Sequence, residues 1–240
     1  MAGGWYPAGF DMNYQPRTIA FHCDLFHPPQ TVDPRPIQKL HNEMFEAGEP
    51  AYSSFAVTPQ GPVLSNATAR PGAVSQAAFL PDRFQFREEL GSLTCEGFAK
   101  RVRQVAERVA TLRNLQIFTG QQVTIRSLIN PRNFKDSRAF LKEGMFGFGE
   151  KSEALGREPQ LYGLRLVFPP EEGQTNAYAL RIESFNGDPR SLFLENQGTF
   201  GPAMLQRGYE IIQERIEDPY RFLLERALPF VARFDARQEA

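Results

Sequence analysis

At 240 residues, with hydrophobic residues at 41% and charged residues at 23%, the chain can bury a substantial core and is far from the composition of a disordered polymer. Its formal net charge of −1 excludes an overall field drawing it to nucleic acid or an anionic membrane. Two cysteines, Cys23 and Cys95, make no disulfide framework and point to a reducing, cytoplasmic setting, and no apolar run approaches bilayer length, so no membrane partner is expected.

Residues 1–16 begin Met1-Ala2-Gly3-Gly4-Trp5-Tyr6-Pro7, without the basic and apolar regions of a secretory signal, and read as an N-terminal arm. A first unit covers 17–113. Over 17–26, Ile19, Phe21, Cys23 and Leu25 alternate with residues that include His22 and Asp24, the pattern of a half-buried strand. Asp33-Pro34 reads as a helix cap with proline in the first turn, Ile37, Leu40 and Met44 follow at helical spacing, and Gly48 supplies a stop. Strands are predicted at 51–58 and 62–69 around Pro59-Gln60-Gly61, followed by one extended run at 73–88. Thr94 then caps an amphipathic helix. One face carries Phe98, Val102, Val105, Val109 and Leu112, and the other Lys100, Arg101, Arg103, Glu107 and Arg108.

A second unit covers 114–217. It reads as a strand through Val123, Ile125 and Ile129, a short helix capped by Asp136, strands at 160–168, 175–185 and 190–197, and a helical region from 203 to 235. The polar, glycine-bearing stretch 147–159 is expected to be a mobile, exposed loop. At Asp218-Pro219 a cap and a first-turn proline predict a fresh helix opening a C-terminal extension, 218–240, bent at Pro229 and packed across the junction of the units.

Identities recur between the units in the same order. Asp33, Arg35 and Lys39 match Asp136, Arg138 and Lys142. Met44-Phe45 and Gly48-Glu49 match Met145-Phe146 and Gly149-Glu150. Arg83, Phe86, Glu88 and Gly91 match Arg190, Phe193, Glu195 and Gly198. The expected fold is therefore α+β: a tandem duplication of a β-α-β-β-β-α unit, joined into one broad antiparallel sheet with helices mainly on one face. Such a doubled order is shared with the TATA-binding saddle as architecture, which carries no function.

The segments Pro81-Asp82-Arg83-Phe84-Gln85-Phe86, Val123-Thr124-Ile125-Arg126-Ser127-Leu128-Ile129-Asn130 and Leu192-Phe193-Leu194-Glu195, with Phe98 in its helix, resemble a sporadically distributed, uncharacterised family of bacterial proteins. That family shows an Arg-Tyr-Ile-Asn-like signature on its central strand; here Arg126 and Ile129-Asn130 flank Ser127-Leu128 in place of the single aromatic residue. The resemblance implies no activity.

Candidate chemistry is sparse. His22, His27 and His41 all fall in the first unit, and the second has no equivalents, which excludes a duplicated metal site. Gly144 to Ser152 approaches a phosphate loop but has one residue too many before Lys151 and follows a helix, not a strand. Glu88 and Glu195 are repeated carboxylates that can favour the next helix or pair with Arg83 and Arg190. Lys100, Arg101, Arg103, Arg108, Arg126, Arg132, Lys135 and Arg138 make the middle of the chain basic, as a nucleic-acid footprint or a solvated helix face would. The favoured reading is a non-enzymatic binding or scaffold protein, acting on a protein partner or on itself. Arg83, Glu88, Arg126, Arg190 and Glu195 are its candidate binding residues, with no catalytic residue, metal or cofactor. A nucleic-acid-binding saddle and an enzyme with a site between the units are the alternatives.

Overall fold

The computed structural model describes residues 14–48, 51–68 and 70–235. In chain order its first part holds β1 (Arg17–Phe26), α1 (Pro34–Glu46), β2 (Ser54–Thr58), β3 (Gly61–Ser65), β4 (Val74–Phe79), β5 (Arg83–Glu89) and α2 (Cys95–Leu112). A small strand β6 (Ile117–Phe118) leads to β7 (Gly120–Ile129), the short helix α3 (Ser137–Ala139), β8 (Gly163–Phe168), β9 (Ala177–Ser184) and β10 (Leu192–Phe200). After β11 (Ala203–Met204) come α4 (Glu210–Phe222) and α5 (Leu228–Ala232).

Among the described residues, nine strands form one antiparallel sheet in the order β2-β3-β4-β5-β1-β7-β10-β9-β8. At its centre β1 pairs directly with β7, placing Cys23 opposite Val123 and Phe21 opposite Ile125. Alternation sends these side chains, with Leu25, Phe84, Phe86, Leu192 and Leu194, to one face. There they form a single cluster with Phe98, Val102, Val105 and Val109 of α2 and with Ile212 and Ile216 of α4. Among the described residues the opposite face is built mainly from polar side chains, such as His22, Arg87, Thr124, Arg126, Glu195 and Gln197.

Local signals explain the helices. Asp33 accepts the Arg35 N–H at 3.0 Å, Thr94 accepts the Gly97 N–H at 3.1 Å, and Asp136 accepts the Ala139 N–H at 2.7 Å, so these three expected caps are made. The helix that Asp136 starts becomes a π-turn over Phe140–Met145.

Several expectations are corrected. The run 73–88 is two strands, β4 and β5, folded back at Leu80-Pro81-Asp82, so the first half gives the nine-stranded sheet one strand more than the second does. Residues 203–204 form β11 and 205–207 a single 3-10 turn, so the α-helix begins only at Glu210. Asp218-Pro219 starts nothing, because α4 runs through it with Pro219 inside. The helical path instead passes through a π-turn at Leu223–Ala227, followed by Pro229 in the first turn of α5, where a missing N–H costs little. Residues 147–159 are largely exposed but contain a 3-10 helix, Gly149–Leu155, and Glu158 ties their end to Arg138, Lys142 and the Tyr162 hydroxyl. One set of matched identities does not mark matching positions: Phe86 and Glu88 face the helices, whereas Phe193 and Glu195 face the open side.

Candidate functional site

The open face carries a charged row that follows from strand register. Glu89, Ala20, Arg126, Glu195, Arg181 and Arg165 lie opposite one another across β5, β1, β7, β10, β9 and β8. Arg126 Nε donates to Glu195 Oε2 at 2.7 Å, and Arg181 approaches the other oxygen at 3.7 Å. At the β5 end, Glu89 holds both Arg87 and the His22 ring, the latter at 2.8 Å. Burial raises the Glu89 pKa, but the Arg87 hydrogen bond and charge, with His22, outweigh it and leave the carboxyl below its ordinary range. The face is therefore charged but largely neutralised in place.

Of the five candidates from the sequence, only Arg126 and Glu195 meet. Arg83 pairs with its neighbour Asp82 at 3.0 Å and lies over the Phe26 ring. Arg190 sits in the turn before β10, its N–H bonded to Asp188. Glu88 is buried on the helical side, 3.5 Å from Arg101. Neither carboxylate pairs as expected: Glu88 takes Arg101 rather than Arg83, and Glu195 takes Arg126 rather than Arg190. Around Glu88, Arg101 reaches Ser75 Oγ at 3.3 Å and lies over the buried Tyr52 ring, and Asn66 donates to Ser75 at 3.2 Å. Glu89, Arg87, Arg181 and the role of His22 were missed in the sequence; once β5 is phased by Phe84 and Phe86 on the core side, Arg87 and Glu89 fall on the open face.

The histidines are separate. His22 is on the open face, His27 packs edge-on against Phe84 at 4.9 Å, and His41 lies on α1 near Phe45 and Phe55. Among the described residues no three of His, Cys, Asp and Glu gather closely enough to hold a metal ion, and no helix is long and apolar enough to cross a membrane. The seam between the halves is closed on the sheet by the β1–β7 ladder. On the helical side a cleft of about 490 Å³ lies over β1, lined by Phe21, Leu93, Cys95 and Tyr220 with Glu96 and Glu217 at its rim. Burial pushes the Cys95 thiol up to about 12, which keeps it protonated and a poor nucleophile. Gly144 lies in the π-turn and Gly147 and Gly149 are left-handed turn residues, so the near-phosphate-loop has neither the strand nor the helix that would hold a phosphate.

A larger groove, of about 940 Å³, runs between α1 and α2. Leu40, Met44 and Leu112 give it apolar surface, and Lys100, Arg101, Arg103 and Arg108 line it with positive charge against Glu43 and Glu107. Arg101 and Arg103 are engaged by Glu88 and Glu210, while Lys100 and Arg108 have no charged or hydrogen-bonding partner among the described residues. The basic segment read from the sequence is thus scattered over three surfaces, with α2 on the helical layer, Arg126 on the open face and Arg138 beside Glu158.

No protein-family model, curated protein or solved structure matches this chain.

Proposed function

We propose that the chain is a non-enzymatic binding protein that acts through protein–protein contacts, and that the α1/α2 groove seats an acidic, amphipathic segment of its partner. The observation that carries this is the pair Lys100 and Arg108, cations with no ion-pair partner among the described residues, beside the exposed Leu112 side chain. On the open face, by contrast, Arg87, Arg126 and Arg181 each already face a glutamate. That neutralisation weighs against a nucleic-acid saddle, which needs cations free to replace counterions. In this reading Arg126 and Glu195 hold the open face in order, and Arg83, Glu88 and Arg190 shape strand ends. Two free, buried cysteines suit a cytoplasmic setting.

The same reading takes the chain as a tandem duplication. Its support is strand order: β1-β5-β4-β3 and β7-β10-β9-β8 run outward from the seam in the same sequence of connections, with β2 as an addition to the first half. α2 follows β5 as α4 follows β10, and α2 and α4 lie side by side.

The test uses a labelled synthetic peptide with Glu and Leu at helical spacing, a scrambled version, and one with Lys for Glu. The acidic amphipathic peptide should bind best at low salt, and K100E/R108E should weaken it about tenfold, a loss of about 1.4 kcal/mol. Equal binding of all three peptides, or indifference to the charge reversal, refutes the groove. Tighter binding of a single-stranded DNA oligonucleotide, lost in the same variant, moves the reading to nucleic acid.

A further inference from the structure

Among the described residues the edge strand β2 has no protection. Natural sheets block their edges with lysine, proline, bulges or a covering element. β2 reads Ser54-Phe55-Ala56-Val57-Thr58, without a charge or a proline, and among the described residues it pairs only with β3. Hairpin geometry says which of its groups are free. Thr58 lies opposite Gly61 across Pro59-Gln60, and a turn of that length makes the two a bonded pair. Bonding alternates along an antiparallel ladder, so Ala56 with Val63 and Ser54 with Ser65 are bonded, and Val57 with Pro62 is not. Pro62 agrees, because it has no N–H to give. Phe55 and Val57 therefore aim their main-chain N–H and C=O at the open edge. Beside them, Val57 is 61% exposed and Phe45 of α1 is 58% exposed, an apolar patch continuous with Phe55 through the His41 ring.

We infer that β2 pairs antiparallel with β2 of a second copy, joining two sheets edge to edge about a twofold axis. A twofold contact sets every residue against the same surface of the partner, so an edge charge would meet its own kind. β2 has none to repel. The opposite edge, β8, carries Arg165 and is followed by Pro169-Pro170, the usual edge blockers. The register follows from where the strand stops. Pro59 turns the chain at one end, and Ser53 is tied back by its N–H to Asn66 Oδ1 at 2.9 Å at the other. Full overlap of what remains centres the axis on Ala56, with Phe55 exchanging main-chain bonds with the partner's Val57. The Phe45 and Val57 patches of the two copies then lie along the same side of the joint.

This rests on the class of the proposed function, a protein acting through protein contacts, but it uses the other flank of α1 from the groove. Its readout needs no peptide, so either can fail alone. The experiment is a charge swap at Ala56, an exposed position on the strand, read by light scattering of the full chain. The wild type should show about twice the 27.2 kDa of one chain. A56K and A56E, which set like charges directly opposite across the axis, should each be folded single chains with unchanged circular dichroism. Mixed in equal amounts, they should recover the doubled mass. A wild type that stays a single chain at about 100 µM, where a contact of useful strength would be populated, overturns the inference. So does a doubled mass that survives both substitutions, or a folded pair of variants that do not recombine.

Discussion

His27 directly follows β1, with its Nδ1 2.8 Å from the Pro28 carbonyl and its ring buried against Phe84. Burial lowers its pKa below the ordinary 6.5; the Pro28 carbonyl and Asp82 oppose this, and Arg113 adds to it. His22 is lowered in the same direction, first by burial, with its bond and charge attraction to Glu89 opposing and Arg126 and Arg87 assisting. For both residues the unfolded chain holds a proton more readily than the folded one. Their contribution is therefore complete above about pH 6.5 and is lost as pH falls through the depressed folded values. Melting temperature should drop between about pH 7.5 and about pH 5.5, and H27F, which keeps a ring on Phe84 but cannot titrate, should flatten that slope. A melting temperature that rises on acidification would show that these histidines are not held neutral. Glu89, whose pKa is lowered, contributes with the same sign further down, with stability present above its unfolded value of about 4.3 and lost below it. The same residue scale limited the reading of the site. Arg126 and Glu195 were legible as candidates, but their being partners was not, because that depends on β7 and β10 lying adjacent with those two residues in register.

Most elements were legible because they carry local signals, and the misreadings share a physical cause. β4 buries Ala77 and Phe79, whereas β5 buries Phe84, Phe86 and Glu88; the buried positions shift from odd to even numbers at Pro81-Asp82. That change of phase is the turn, and an extended run without it hides a strand. Asp218-Pro219 carries a genuine start signal that tertiary packing overrides. Asn196, fully buried on β10, donates to the Pro219 carbonyl at 2.6 Å, and Gln121 of β7 donates to the Ile212 carbonyl at 3.0 Å, so the sheet grips α4 through its backbone. The proline ring lies over Gly198, where a Cβ would meet Pro219 Cγ at 2.6 Å and the Phe200 ring at 2.9 Å. Neither neighbour is a flexible chain end. G198A should therefore lose about 1–3 kcal/mol by overpacking, read as a lower denaturant midpoint with an unchanged slope. Stability equal to wild type would mean that α4 can lift off β10 at little cost. The far end of this segment is fixed by polar groups: buried Asp235 accepts from the Tyr14 hydroxyl and from the Arg132 and Asn133 N–H groups. The described part of the C-terminal stretch is thus core, with Leu223, Ala227, Leu228 and Val231 buried, and its Tyr220 ring meets Phe21 of the first half.

At the scale of the whole molecule the halves meet along two contacts, the β1–β7 ladder on the sheet and α2 against α4 above it. Each half buries its seam strand only with the other's help. Without β7, β1 would expose a free edge ten residues long with the seam sides of Phe21, Cys23 and Leu25 uncovered, and β7 would do the same with Val123 and Ile125. The link between them, by contrast, is a tight exit from α2. Asn114 takes a left-handed φ of 52° there, and Leu115 enters the core just beyond. Cutting the chain between Arg113 and Asn114 removes one covalent link and leaves the strand ladder and helix contact in place. Co-expressed fragments 1–113 and 114–240 should therefore copurify in equal amounts on a tag carried by one, with the circular dichroism of the intact chain and a lower melting temperature, because association now carries the entropy cost of joining two chains. Each fragment made alone should be insoluble or aggregate through its open seam. If either alone proves soluble, folded and of single-chain mass, the seam is an ordinary contact between two independent domains and not the centre of one shared sheet.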